Sequence, residues 1–170
     1  MSKIIFIIGP VSSGKTTVAD MFKNSVKLNI DYFYEKHMNQ AKDFEASYRD
    51  KKFQDKCWNN FYKEIRKNKL KHKLVTAQTT GLNPRFKQIL NKLKGEFGKE
   101  VLIIKVKAPK SSIIKRSKKR LEKEYRKETG VKSIYKRLKR KHLKANFIIN
   151  NNKDNVNLKM QVEKIQKVLK

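Results

Sequence analysis

Acidic residues, cysteines and long apolar runs are all scarce in this chain. Its 170 residues hold 15 Asp+Glu against 44 Lys+Arg, a formal net charge of +29. A single cysteine, Cys57, excludes an internal disulfide and a cysteine-based zinc site. His37, His72 and His142 have no spacing that suggests a metal or a catalytic triad, and each reads as a surface residue. No apolar stretch approaches the ~20 residues of a membrane span, and the basic start at Lys3 leads into a short run closed by Gly9, unlike a secretory leader. The expected protein is therefore cytoplasmic and reduced, with no membrane partner. Hydrophobic residues make up 38% of the chain and concentrate in runs such as Lys3 to Ile8 and Val101 to Val106, which a disordered polycation would lack. The length suits one domain over residues 1–170.

The positive excess is mostly lysine, 36 Lys against 8 Arg. It has two readings, a general compositional bias or a polyanionic partner such as nucleic acid. Two blocks stand out: Lys110 to Lys144 holds 16 basic and 3 acidic residues, and Lys51 to Lys73 holds 9 and 2. Such blocks concentrate phosphates or nucleic acid with steep salt dependence. The regular stacking aromatics of an RNA-binding sheet are absent, since Tyr32, Phe33 and Tyr34 form one cluster in an expected loop.

Apolar periodicity alternates between strand and helix. Ile4 to Ile8 is a continuous β-branched run that fits a central strand buried on both faces, and Val18, Ala19 and Phe22 recur at helical spacing after it. Val26 to Ile30 is a weaker second strand, and Leu74 to Ala77 a third. Val101 to Val106 is the fourth and Phe147 to Ile149 a fifth. Lys36 to Lys71 reads as one or two amphipathic helices, and Phe86 to Leu93 as part of a helix ending at Gly95. Two charged helices are expected over Ser111 to Glu128 and Lys132 to Leu143, and a last one through Val156, Met160, Val162, Ile165 and Val168. The pattern predicts an α/β fold, a five-stranded parallel sheet with helices on both faces, and a basic helical lid over about 111–143.

Gly9-Pro10-Val11-Ser12-Ser13-Gly14-Lys15-Thr16 matches G-x-x-x-x-G-K-[ST] in the context that its mechanism needs, after a buried strand and at a helix start. Its glycines let successive N–H groups point at phosphate oxygens, with the helix amino terminus adding positive potential. Lys15 is expected to reach the β and γ phosphates of ATP and Thr16 to ligand Mg²⁺, with Thr17 beside it in the nucleotide site.

With this loop near its amino terminus and 170 residues in all, the chain resembles the small P-loop kinases related to nucleoside monophosphate kinases. Three further segments carry the likeness: Asn29-Ile30-Asp31-Tyr32-Phe33, Thr80-Gly81-Leu82-Asn83-Pro84-Arg85, and Arg116 with Arg120 four residues on. The combination is similar to the polynucleotide 5'-hydroxyl kinases and zeta-toxin-like kinases. The resemblance implies a P-loop three-layer sandwich, ATP and Mg²⁺, and transfer of the γ-phosphate to a nucleic acid 5' end or a nucleoside or nucleotide. It implies that Asp31, at the end of a neighbouring strand, serves the acceptor hydroxyl, and that Arg116 and Arg120 contact adenine and the transferring phosphates. Asn151 would lie where relatives wrap the adenine ring, and Arg126 is a third lid candidate.

Two departures qualify the likeness. Val75 to Gly81 carries no acidic residue, where many relatives place one after strand three, and Tyr32-Phe33-Tyr34 replaces the arginine of polynucleotide kinases. Alternatives are a kinase of an unrelated small metabolite and an ATP-gated nucleic-acid-binding protein with little turnover. Each singled-out residue also has a plainer reading. Asp31 can begin a helix, the arginines can lie on a solvated face, and Asn151 can belong to a turn. Phe44, Tyr48, Trp58 and Phe61 have two readings, lining for an acceptor pocket or, as their helical spacing favours, a packed helix face, and Cys57 reads as core.

Overall fold

The computed structural model describes residues 2–38, 50–123, 143–152 and 155–169. The strands are β1 (Lys3–Ile8), β2 (Val26–Asn29), β3 (Leu74–Thr79), β4 (Val101–Lys107) and β5 (Phe147–Asn150). The helices are α1 (Lys15–Met21), α2 (Ile30–Met38), α3 (Lys51–Lys71), α4 (Pro84–Phe97), α5 (Lys110–Lys123) and α6 (Asn155–Leu169). They build the expected five-stranded parallel sheet, in the order β2-β3-β1-β4-β5. Val26 to Asn29 lie opposite Val75 to Gln78, and Ile104 to Lys107 opposite Phe147 to Asn150.

Ile4 to Ile8 are each 0% exposed, as a central strand buried on both faces requires. The second strand is not its neighbour, because β3 lies between them and β2 is an edge. The sequence difference explains the order. Val75 to Thr79 are all buried, whereas β2 reads Val-Lys-Leu-Asn with Lys27 exposed, a composition that tolerates an edge.

Two compact units make up the fold. The first comprises Met1–Phe6, Asn24–Thr79 and Asn83–Leu102; the second comprises Ile7–Lys23, Thr80–Leu82 and Ile103–Lys170.

Aromatic side chains fill the first unit. Phe33 and Trp58 meet Phe61 edge-on at centroid distances of 5.3 and 5.8 Å, and Phe6 meets Phe86 at 5.1 Å. Trp58 Nε1 donates to the Tyr34 hydroxyl at 2.8 Å, so its polar edge is satisfied within the core. Trp58 and Phe61 thus pack rather than line a pocket, while Phe44 and Tyr48 lie outside the described residues. Tyr32, Phe33 and Tyr34 are helical, not looped. The Asn29 side chain accepts from Asp31 N at 3.1 Å and starts α2, and Ile30, Phe33 and Tyr34 then bury one face at i, i+3 and i+4.

Helix α4 opens with Asn83 accepting from Arg85 N at 2.9 Å and Pro84 in its first turn. It runs past Gly95, the expected end, to Phe97, and a 3-10 turn over Gly98–Glu100 follows. Gly98 carries the positive φ of 52° that ends the helix, whereas Gly95 is an ordinary helical residue.

Cys57 is fully buried and burial pushes its thiol up to about 11. Labelling of the native chain by a thiol reagent at pH 8 is therefore expected to run about two orders of magnitude slower than labelling in denaturant. Comparable rates would show that this helix face opens readily.

In the second unit, Asn146 N donates to Ile103 O at 2.9 Å and Ile103 N to Asn146 Oδ1 at 2.8 Å, which sets β5 beside β4. Gln161 of α6 brackets Asn150, accepting from its N–H at 2.9 Å and donating to its carbonyl at 3.1 Å. Of the expected lid, α5 is described to Lys123. Arg126 and the second charged helix lie outside the described residues, as does the side chain of Arg120. Among the described residues no helix is long and apolar enough to cross a membrane.

Candidate active site

The glycine loop runs from the end of β1 into α1, and its two glycines are sterically required. A Cβ on Gly9 would lie 2.6 Å from the Val106 carbonyl oxygen and 2.9 Å from Ser13 Oγ. Gly14 has φ 93°, a left-handed conformation that strains any residue with a Cβ, and a Cβ there would also run into the Asn151 side-chain amide. Between them the chain turns sharply, with Ser13 N donating to Pro10 O at 3.2 Å. Ser12 adopts φ 62°, the left-handed region that a residue with a Cβ enters only at a cost.

Gly14 also precedes α1 as its cap and brings no side chain to the helix start. Lys15 spans the loop mouth, its Nζ donating to Gly9 O at 3.1 Å and Pro10 O at 2.8 Å. Ser13 Oγ is completely buried and has no hydrogen-bond partner among the described residues. A buried hydroxyl with no partner costs free energy, and one inside a glycine cradle with a lysine across its mouth fits a polyphosphate. Thr16 and Thr17 occupy the exposed first turn of α1.

Two other elements of the same unit reach the loop. Arg116 of α5, half-buried, donates from Nη1 to Ser12 O at 3.4 Å. Asn151, 5% exposed, donates from Nδ2 to Ser13 O at 2.9 Å, and its own N–H donates to Lys107 O at 2.7 Å. Gly9 to Thr17, Arg116 and Asn151 are thus brought together, and the amide of Asn151 props the loop. Ser117 belongs with them and was missed from sequence. It is 3% exposed and donates from Oγ to Ser12 Oγ at 3.0 Å. The available signal was its spacing, four residues after Ile113 on the same buried face of α5.

Asp31 belongs to the other unit. It is exposed in the first turn of α2, directly after the carboxyl end of β2, where a carboxylate also favours the helix dipole. Gln78 and Thr79, both buried, end β3, where the sequence carries no acidic residue. Among the described residues no group of three or more His, Cys, Asp or Glu could hold a metal ion. His37 is half-buried, with Nε2 at 2.9 Å from Asn60 Nδ2. Burial first, then Lys56 and Lys36, hold its ring below the usual imidazole range. His72 is exposed at the end of α3, and His142 lies outside the described residues.

No protein-family model and no curated protein matches the sequence. Solved structures do. A candidate kinase from Chloroflexus aurantiacus aligns with a TM-score of 0.76 at 13% identity, covering 98% of this chain and 97% of its own. Shikimate kinase from Bacteroides thetaiotaomicron aligns with a TM-score of 0.67 at 18% identity over 98% of each chain. The APS kinase of Mycobacterium tuberculosis, solved with AMPPNP and APS, aligns with a TM-score of 0.61 at 9% identity over 99% and 97%. At such identities the likeness is one of architecture: this chain has the five-stranded parallel α/β fold of these kinase structures, with its glycine loop after the central strand.

Proposed function

We propose that the chain is an ATP-dependent phosphotransferase that moves the γ-phosphoryl group to a hydroxyl of a small molecule. The observation that carries this reading is the Gly9–Thr16 loop, with two obligatory glycines, the unpartnered Ser13 hydroxyl and the Lys15 ammonium across its mouth. Loop amides and Lys15 hold the β and γ phosphates. Arg116, beside Ser12, offsets charge that builds up on the transferring group. The Thr16 hydroxyl would hold Mg²⁺, which when bound with the nucleotide neutralises phosphate charge. Asp31 takes the acceptor proton. The acceptor oxygen bonds to the γ-phosphorus as the bond to the β–γ bridging oxygen breaks, and ADP leaves. Positioning and charge stabilisation supply most of the rate.

The acceptor class rests on the fold likeness, since the structures named above include a shikimate kinase and an APS kinase. A nucleic acid 5' end, a nucleoside or a nucleotide is the second reading, along with a nucleic-acid binder of little turnover. One observation favours it: Lys51, Lys52, Lys56, Lys63, Lys67 and Lys71 are all exposed along α3, a helix roughly 30 Å long.

Transfer from γ-labelled ATP into pools of metabolites, nucleosides, nucleotides and 5'-hydroxyl oligonucleotides tests these readings. Label is expected in a small hydroxyl compound. Label only in oligonucleotides would replace that acceptor with nucleic acid. Label that never leaves ATP, while RNA binding persists and weakens steeply with salt, would favour the binding module over the kinase.

A further inference from the structure

We propose that Ser117 is a positioning residue for the phosphate loop: its hydroxyl holds Ser12 in the left-handed conformation that nucleotide binding requires, so that α5 sets the affinity of the loop. This rests on the loop's being a nucleotide site, as proposed above.

Ser12 is the strained point of the loop, at φ 62° with a Cβ present. Such a conformation persists only where the surroundings over-determine it. Ser117 Oγ donates to Ser12 Oγ at 3.0 Å, and Arg116 Nη1 to Ser12 O at 3.4 Å. One residue on, Asn151 Nδ2 holds Ser13 O at 2.9 Å. The Ser117 bond is the shorter of the two that grip Ser12. Its donor is also fixed, because Ser117 is 3% exposed and Ile113, one turn earlier on the same face, is 2% exposed.

Loss of the hydroxyl leaves Ser12 with the weaker arginine contact, and the loop spends part of its time in relaxed conformations that cannot line its amides up on phosphate. The affinity for nucleotide falls by the fraction of loops left competent. Glycine at position 12 enters the left-handed region without that cost. It should therefore make the Ser117 bond dispensable, and this separates positioning from packing.

Calorimetry of the full chain with Mg²⁺ and a non-hydrolysable ATP analogue is the test. Ser117→Ala is expected to weaken binding about three- to tenfold, the worth of one hydrogen bond. The double variant Ser12→Gly with Ser117→Ala is expected to recover most of the lost affinity. Ser12→Ala, which keeps the strain and removes the acceptor, is expected to weaken binding at least as much as Ser117→Ala, and it carries the test if Ser117→Ala does not fold. Unchanged affinity in either single variant overturns the proposal. Weaker binding in Ser117→Ala that glycine at position 12 does not rescue assigns Ser117 to packing and overturns it as well. A wild-type chain that binds no analogue removes the nucleotide site itself, a failure distinct from either.

Discussion

Asp31→Asn is expected to lower turnover about 10²–10⁴-fold, the usual worth of a positioned general base, while leaving affinity for the ATP analogue within about a factor of two. Asparagine keeps the size and much of the hydrogen bonding of aspartate but cannot take the acceptor proton. The location makes this a discriminating measurement. Asp31 is exposed, and the turn it occupies is already started by the Asn29 side chain, so neutralisation should cost little fold stability. A rate within a few-fold of wild type would reduce Asp31 to a residue that begins α2.

Lys15→Ala is expected to lower kcat/KM about 10²–10³-fold, as loss of one charge-stabilising donor typically does. Here nucleotide affinity should fall too. The ammonium sits across the loop, 3.1 and 2.8 Å from the carbonyls of Gly9 and Pro10, where it is poised to turn toward phosphate. Lys15→Arg is not expected to rescue activity, because a planar guanidinium does not replace a compact ammonium between two carbonyls. Kinetics of both variants, read with calorimetry, separate the two residues: Asp31 acts on turnover alone, Lys15 on turnover and binding. Equal affinity in Lys15→Ala and wild type would place phosphate recognition elsewhere.

Much of the fold is legible in the sequence. Ile4 to Ile8 announces a strand covered on both faces, and the G-x-x-x-x-G-K-T spacing places a tight glycine turn and a helix start after it, because both depend on residues close together in the chain. Where the structure differs from the sequence pattern, the reasons are equally physical. Tyr32 to Tyr34 read from sequence as one aromatic cluster in a loop, yet the Asn29 cap and the buried i, i+3, i+4 face make a helix. Gly95 looked like a helix end, but glycine terminates a helix only when the backbone takes a positive φ, and that happens at Gly98.

Local chemistry, then, was enough to name the strands, the obligatory glycines and the lysine that closes the loop, since backbone sterics and short-range periodicity govern each. Folding in three dimensions settled the insertion of β3 between β1 and β2, which follows from how thoroughly each strand can be covered. It also settled the grip on the loop. Ser117 and Ser12 are 105 positions apart, and Asn151 and Ser13 are 138 apart. No short-range pattern can encode a hydrogen bond across such separations, because its geometry exists only once β4, α5 and β5 have packed beside the loop.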